Sequence, residues 1–298
     1  MDSLETLPLD IFTKLFNDFL DEHFIGLFML SCTSHRLHQV AFQYAIYLEI
    51  PRKLECHRIA SKGYLNILKW ARYNDYSWDH RTCAEAARNG HFEVLKWVRE
   101  QGCGWGIDTP NAAASGGHLE ILKWALTQDC PKEELTIRSS AIKHNHLHIL
   151  NWTKQMKFLS NFDNEASIAA KFGYLDIIKE LYPTGSNYNW SIYASAALNN
   201  QIEVIKWLID TDKKLERDIY TAPAESTEHY DICANAALNG HLETLRLLRE
   251  TGFRWNYQTC KNAIEGDHLE VLLWAKSNGC PWGSETEAKA KAKWPSFF

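Results

Sequence analysis

Apolar residues recur along the chain at helical spacing, and the pattern itself repeats. In NGHFEVLKW (89–97) and the residue after it, Phe92, Val94, Leu95, Trp97 and Val98 form a broad apolar stripe, while Glu93, Lys96 and Glu100 fall on the other side. This predicts an amphipathic helix. The preceding segment, TCAEAARNG, supplies Ala86 and Ala87, small residues that let two helices approach closely. A Gly or Asn between the segments suits the left-handed conformation that ends a helix, so the pattern predicts helix, tight turn, helix.

Seven further segments align with this one: KGYLNILKW, GGHLEILKW, HNHLHILNW, FGYLDIIKE, NNQIEVIKW, NGHLETLRL and GDHLEVLLW. The turn position falls at Gly63, Gly90, Gly117, Asn145, Gly173, Asn200, Gly240 and Asp267, in steps of 27 or 28 residues with one of 40. A fixed period in this range marks a solenoid, in which no repeat can bury its apolar face alone and each must stack on its neighbours. The Ala pair recurs at Ala113 and Ala114, Ala169 and Ala170, Ala196 and Ala197, and Ala236 and Ala237. The long step adds KKLERDIYTAPAESTEHYD (213–231), a loop that is either a specificity element or inert. SETEAKAKAKWPSFF starts like another first helix, so residues 285–298 are expected to form a capping helix and tail.

The stretch AARNGHFEVLKWVREQG resembles the ankyrin repeat pattern AAxxGHxEVVKLLLxxG, and the likeness runs from about Glu49 to Trp282. It departs from the family in two ways. The opening TPLH is reduced to TC at Thr82-Cys83 and Thr259-Cys260, and the usual period is shortened by about six residues. The missing residues fall in the connecting finger, so the resemblance implies an all-α, ankyrin-type helical solenoid over 49–284 with truncated β-hairpin fingers and almost no strand. Trp78, Trp105, Trp255 and Trp282 share one slot in these fingers, where packing across the repeat boundary is expected. Tryptophan-rich, short-period arrays of this kind look like those of large DNA viruses and protists.

Solenoids bind along their concave face, and the residues just before each turn vary most between copies. The candidate target-binding positions are Arg88, Asn89, Lys143, His144, Lys171, Phe172, Leu198 and Leu238. The stripe is basic in its middle and apolar further on, which suits an acidic protein target with an apolar anchor. The alternative is an ordinary solvated surface.

Residues 1–48 leave the repeat. Ile11, Phe12, Leu15, Phe16, Phe19 and Leu20 make one wide helical stripe, and Leu27, Phe28 and Leu30 a second. The segment resembles an F-box, whose pattern opens LPxE and ends in a Leu-rich run and C-x-R-W-R: Leu7-Pro8, Asp10 and Ile11 fit the front, and Ser31-Cys32 with Arg36 the end. His35 stands near the family's missing Trp. The resemblance implies a small helical domain that docks the Skp-type adaptor of a cullin-RING ubiquitin ligase through Leu7, Pro8, Ile11, Leu15, Phe16, Leu20, Leu27 and Leu30, leaving the repeats to hold the target. The competing reading is a hydrophobic cap on the first repeat.

Charge and chemistry narrow the function class. With 32 Lys and Arg against 37 Asp and Glu and no basic block, the electrostatic footprint of a nucleic-acid binder is missing. The longest early apolar run, 24–30, is too short to span a bilayer, and a cytoplasmic or nuclear monomer is expected, in the host cytoplasm if the source is viral. Measured from the turn position, Cys56, Cys83, Cys233 and Cys260 sit seven residues before, and Cys103, Cys130 and Cys280 thirteen after. Spread in this way, with no C-x-x-C pair, they are expected to pack as small apolar side chains rather than to bind zinc. His91, His118, His146, His241 and His268 follow the turn position directly and are expected to bond locally near a helix start. The H-x-H-x-H at His144, His146 and His148 is a weak metal signal, since residues two apart point to different helix faces. The tryptophans that end six of the eight segments are read as core. No nucleotide-binding, nucleophile-elbow or metalloprotease motif is present, so no catalytic residue, metal or cofactor is assigned.

Overall fold

The computed structural model of the protein describes residues 55–73, 75–182, 190–214 and 231–297. The candidate adaptor-binding residues between Leu7 and Leu30, and most of the 213–231 insertion, lie outside the described residues. Eight helix pairs are seen: α1 (Cys56–Ser61) with α2 (Leu65–Tyr73), α3 (His80–Arg88) with α4 (Phe92–Glu100), α5 (Asp108–Gly116) with α6 (Leu119–Thr127), α7 (Glu134–Lys143) with α8 (Leu147–Gln155), α9 (Phe162–Phe172) with α10 (Leu175–Leu181), α11 (Trp190–Leu198) with α12 (Ile202–Lys214), α13 (Ile232–Leu238) with α14 (Leu242–Glu250), and α15 (Tyr257–Glu265) with α16 (Leu269–Ser277). A last helix, α17 (Ser284–Lys293), is not followed by a second helix among the described residues. No strand forms among the described residues.

The chain divides into two compact units at Ser140–Ala141, within α7. In each unit the first helix of a repeat packs on the first helix of the next: α1 on α3 and α3 on α5 in one, α9 on α11, α11 on α13, α13 on α15 and α15 on α17 in the other. Helices of about nine residues are too short to hold together in water unaided, so this stacking supplies their stability. The close approach depends on the alanine pairs, since Ala86, Ala87, Ala113, Ala114, Ala169, Ala170, Ala196, Ala197, Ala236 and Ala237 are all fully buried. Of the second-helix stripe, Val94, Leu95 and Val98 are buried, whereas Phe92 and Trp97 lie half-buried on its flanks.

Each first helix ends as the turn residues predict. Gly63, Gly90, Gly117, Gly173 and Gly240 have positive φ, as do Asn145, Asn200 and Asp267 at the same slot. The next residue's N–H then bonds the carbonyl five residues back, as in His91 to Ala86 at 2.9 Å and His268 to Ala263 at 2.8 Å. The second helices close in the same way, which the sequence pattern does not announce. Asp75, Gly102, Asp129, Lys157, Gly252 and Gly279, each twelve residues after a turn position, also have positive φ. Each is followed by a backbone bond such as Cys103 N to Val98 O at 2.9 Å. First helices are capped from their connectors, where Asp79, Asn161, Asp231 and Asn256 accept from backbone N–H groups in the first turn.

The connectors that remain in place of the fingers carry a second repeating bond. The thiols of Cys103, Cys130 and Cys280 donate to the carbonyls of Asp79, Gly106 and Asn256, each 24 residues earlier, at 3.3, 3.5 and 3.3 Å. At the C-terminal end, Thr286 and Ala290 of α17 are buried, and Lys293 Nζ donates to Ile264 O at 2.7 Å and pairs with Asp267 at 3.1 Å.

Candidate functional site

At four of the turns the residue after the turn position reaches back across the repeat boundary, and for His91 and His241 this replaces the local bond that the sequence suggested. His91 Nε2 lies 3.1 Å from Ser61 O, Tyr174 Oη donates to Lys143 O at 3.3 Å, Gln201 Nε2 donates to Lys171 O at 3.2 Å, and His241 Nε2 lies 3.1 Å from Leu198 O. In every case the acceptor belongs to the residue two before the preceding turn. His91, His241 and His268 cap their helices by backbone position alone, with no side-chain cap bond. The rings are drawn away because the end of a first helix leaves carbonyls without partners, and the next repeat supplies the donor.

This bonding consumes the backbone at the turn edge and leaves the side chains there facing outward. Arg88, Asn89, Lys143, His144, Lys171 and Phe172 are exposed, and Leu198 and Leu238 are half-buried. Arg88 is held by Glu85 at 3.4 Å, and Asn89 by Glu85 O at 2.9 Å. The structure gathers Lys143, Lys171 and Phe172 of the second unit into one patch and adds Tyr174, which the sequence reading passed over. The Phe172 and Tyr174 rings stack at 5.6 Å with 18° between planes, and Lys171 Nζ lies 5.7 Å from the Phe172 centroid. Phe172 is 42% exposed, a large apolar ring at a position where the other repeats carry Asn, Gly, Lys or His. Tyr174 could have been found from its slot, because it stands where five repeats have His. The His144 ring stacks on His146 at 6.4 Å and 12°, and His148 meets His146 edge-on at 5.8 Å.

A second ordered surface lies where the second helices meet the connectors. Trp78 packs edge-to-face on Trp97, Trp105 on Trp124, and Trp255 on Trp274, with centroids 5.6 to 5.8 Å apart and planes 68° to 74° apart. These pairs join a connector to the second helix of the next repeat, and each contributes about 0.5–1.5 kcal/mol beyond the area it buries. Trp97, Trp124, Trp152, Trp207 and Trp274 are thus the rim of the core, half-buried rather than internal. A cation six residues earlier covers each connector ring: Arg72 over Trp78 at 4.8 Å, Arg99 over Trp105 at 4.0 Å, Arg249 over Trp255 at 4.3 Å and Lys276 over Trp282 at 4.4 Å. The guanidinium of Arg99 also donates to Cys103 O, and that of Arg249 to Phe253 O.

The seven described cysteines are free and buried. The hydrogen bond to Cys103, with burial, pushes the Cys83 thiol up, and Cys280 is raised in the same way against Cys260. Burial, opposed by the charge of Arg99, takes Cys130 to about 11. Thiols held this far above neutrality are poor nucleophiles and poor metal ligands. No group of three or more His, Cys, Asp or Glu among the described residues could hold a metal ion, and no described helix is long and apolar enough to cross a membrane.

Comparison with known proteins agrees with the repeat architecture. A family model described as ankyrin repeats, in three copies, matches residues 166–259. Such repeats are protein-interaction modules, and the architecture together with this match gives an all-helical, ankyrin-type solenoid fold. No curated protein matches the chain. Among solved structures, the human ASB11 ankyrin repeat domain is 18% identical, with 67% of this chain and 99% of that chain covered and a TM-score of 0.47. The pentatricopeptide repeat protein PPR10, solved in complex with an 18-nt psaJ RNA element, is 13% identical, with 97% of this chain and 49% of that chain covered and a TM-score of 0.44.

Proposed function

We propose that the chain is the substrate receptor of an SCF-type ubiquitin ligase, in which the N-terminal F-box-like segment docks a Skp-type adaptor and the repeats hold a protein target. The second half of this reading rests on one observation: Phe172, exposed and stacked on Tyr174, stands beside Lys171 on an edge whose backbone bonding is already satisfied. An aromatic anchor flanked by cations suits an acidic target with an apolar residue, and such anchors dominate interface energies. The first half rests on the spacing of Leu7, Pro8, Ile11, Leu15 and Leu20. The receptor performs no chemistry in this scheme. It raises the effective concentration of target lysines beside a charged conjugating enzyme.

A plain interaction scaffold is the second reading, and the family match favours it in one respect, since it reaches repeats alone. Titration calorimetry of the full chain against a purified Skp-type adaptor separates the two, with a Leu7→Ala, Pro8→Ala double variant as control. Saturable binding that the variant loses, while its circular dichroism is unchanged, supports the receptor. A well-folded chain that does not bind leaves the scaffold. In either case Phe172→Ala is expected to weaken target binding about tenfold or more, the loss of a central aromatic anchor.

A further inference from the structure

On the second helices of the second unit, cations are matched within their own helix. Lys179 pairs with Asp176 at 3.8 Å, Lys206 with Glu203 at 2.9 Å and Arg246 with Glu243 at 3.3 Å, each three residues apart. At the far end of the turn edge the carboxylates are matched too, Glu265 by Lys261 at 4.0 Å and Asp267 by Lys293 at 3.1 Å. Lys143 and Lys171, which end α7 and precede the end of α9, differ. Both are exposed, and neither ammonium has a carboxylate partner among the described residues. Two unmatched positive charges thus stand on one edge of a chain whose net charge is −5.

The two lysines lie on either side of a pair of rings. Tyr174 Oη donates to Lys143 O at 3.3 Å, Tyr174 stacks on Phe172 with centroids 5.6 Å apart, and Lys171 Nζ lies 5.7 Å from the Phe172 centroid. Lys143, Phe172 and Lys171 all face solvent, so a ligand meets them without any opening of the fold. The surface ammonium groups are hydrated and unstrained. What they supply is a field, which selects a partner of opposite charge and sets its register.

We infer that this row binds an extended segment of the target that carries a carboxylate on each side of an apolar side chain, the carboxylates meeting Lys143 and Lys171 and the apolar group lying on Phe172. The inference rests on the reading of the turn edge as the target-holding surface and names what that surface holds. Lys143 and Lys171 occupy one slot on successive first helices, and packed helices lie about 8–10 Å apart. A polyproline-type chain advances about 3.1 Å per residue with three residues per turn, so carboxylates three apart fall on one side at a matching distance. Single-stranded nucleic acid also stacks on exposed rings, but it needs cations that track its backbone. Beyond Lys171 this edge continues with Leu198 and Leu238 and ends in Glu265 and Asp267, which disfavours a run of phosphates.

The test is fluorescence polarisation of the full chain with fluorescein-labelled peptides. The first has Glu on either side of a Leu-Pro pair, the second has the same composition with both Glu residues on one side, and the third has Gln for Glu. A short single-stranded oligonucleotide is the competitor. Saturable binding of the first peptide is expected, tighter than that of the second. Lys143→Gln and Lys171→Gln should each weaken it about two- to fivefold, the worth of an exposed ion pair, and the double variant about tenfold. Lys206→Gln, on the charge-matched helix face, should leave it unchanged, and thermal melts should show every protein folded. The proposal is overturned if the first peptide shows no saturable binding up to millimolar protein, if the double variant binds within twofold of the parent, if the second or third peptide binds equally, or if the oligonucleotide displaces the first. Equal binding of the Gln peptide that Phe172→Ala abolishes would remove the paired carboxylates and leave the edge as an apolar target site. Peptide binding that Phe172→Ala leaves untouched would remove both. Adaptor calorimetry does not involve this edge and judges the receptor reading separately.

Discussion

His241 Nε2 lies 3.1 Å from the carbonyl oxygen of Leu198, in the preceding repeat and 43 residues away in the chain, across the long insertion. A carbonyl can only accept, so the bond places the proton on Nε2. Leu198 O also accepts from Asn239 Nδ2 at 2.7 Å, and Thr244 Oγ1 donates to Asn200 Oδ1 at 2.7 Å. Three polar contacts thus tie the repeats on either side of the insertion.

His241→Ala should cost about 0.5–1.5 kcal/mol, the net worth of one hydrogen bond, because Leu198 O keeps its bond from Asn239. His241→Gln should recover most of that loss, since Gln201 already makes the same bond in its own repeat. Urea denaturation of the three proteins checks this. A Gln variant no better than Ala would mean that ring packing, and not the hydrogen bond, holds the boundary.

Gly116 closes α5 at a place where a side chain has no room. A Cβ there would stand 1.9 Å from Arg88 O and 2.7 Å from His118 Cδ2. Helix propensity alone favours Ala over Gly by about 1 kcal/mol, so the two effects oppose each other. Backbone cannot give way as a side-chain tip can, and Gly116→Ala is expected to destabilise by roughly 1–3 kcal/mol. A melting midpoint at or above the parent's would show that the repeats can separate there without loss.

Two aspartate caps should respond to acid in opposite directions. The hydrogen bond from Arg81 holds the Asp79 carboxyl below its usual range, so the stability it contributes is present at neutral pH and is lost as the pH falls through its folded pKa. Burial holds Asp231 above the usual range despite its bond from Ala234, so its contribution is greatest when protonated and declines as the pH rises through its folded pKa. Asp79→Ala should therefore cost about 1 kcal/mol at neutral pH, the usual worth of a cap, and progressively less toward pH 3. Asp231→Asn keeps a capping oxygen and sheds the buried charge, so it should stabilise the protein at neutral pH and match the parent in acid. Chemical denaturation at several pH values reads both; parallel curves would refute the assignment.

Much of the fold was legible because it is written in residue identity. Gly at a left-handed turn and Ala where helices touch recur at fixed positions, and each has a steric reason to be that residue. What was not legible has its partner in the backbone. The ring of His91 bonds Ser61 O, and any residue could supply that carbonyl, so the sequence leaves no mark of the reach. The second left-handed slot was hidden for a related reason: Asp75, Gly102, Asp129 and Lys157 share a conformation without sharing a side chain. Phe172 stood out on its own, whereas Tyr174 emerges only when neighbouring repeats are brought together.

Lys157 is the costly member of that second slot. Its φ is 57°, in the left-handed region, where a side chain with Cβ pays about 1–2 kcal/mol and neither Asp nor Asn chemistry is available to offset it. The side chain is exposed, so little packing is lost on its removal. Gly adopts the conformation without strain but gives up more freedom on folding, and the balance at such a site still favours it. Lys157→Gly is expected to raise stability by about 0.5–1 kcal/mol, while Lys157→Asn gains part of that and Lys157→Val loses stability. Thermal melts in that order, with Gly highest and Val lowest, would identify backbone strain as the cause. If instead Gly melts below Lys, the connector after α8 gains more from a stiff residue than it loses to the left-handed turn.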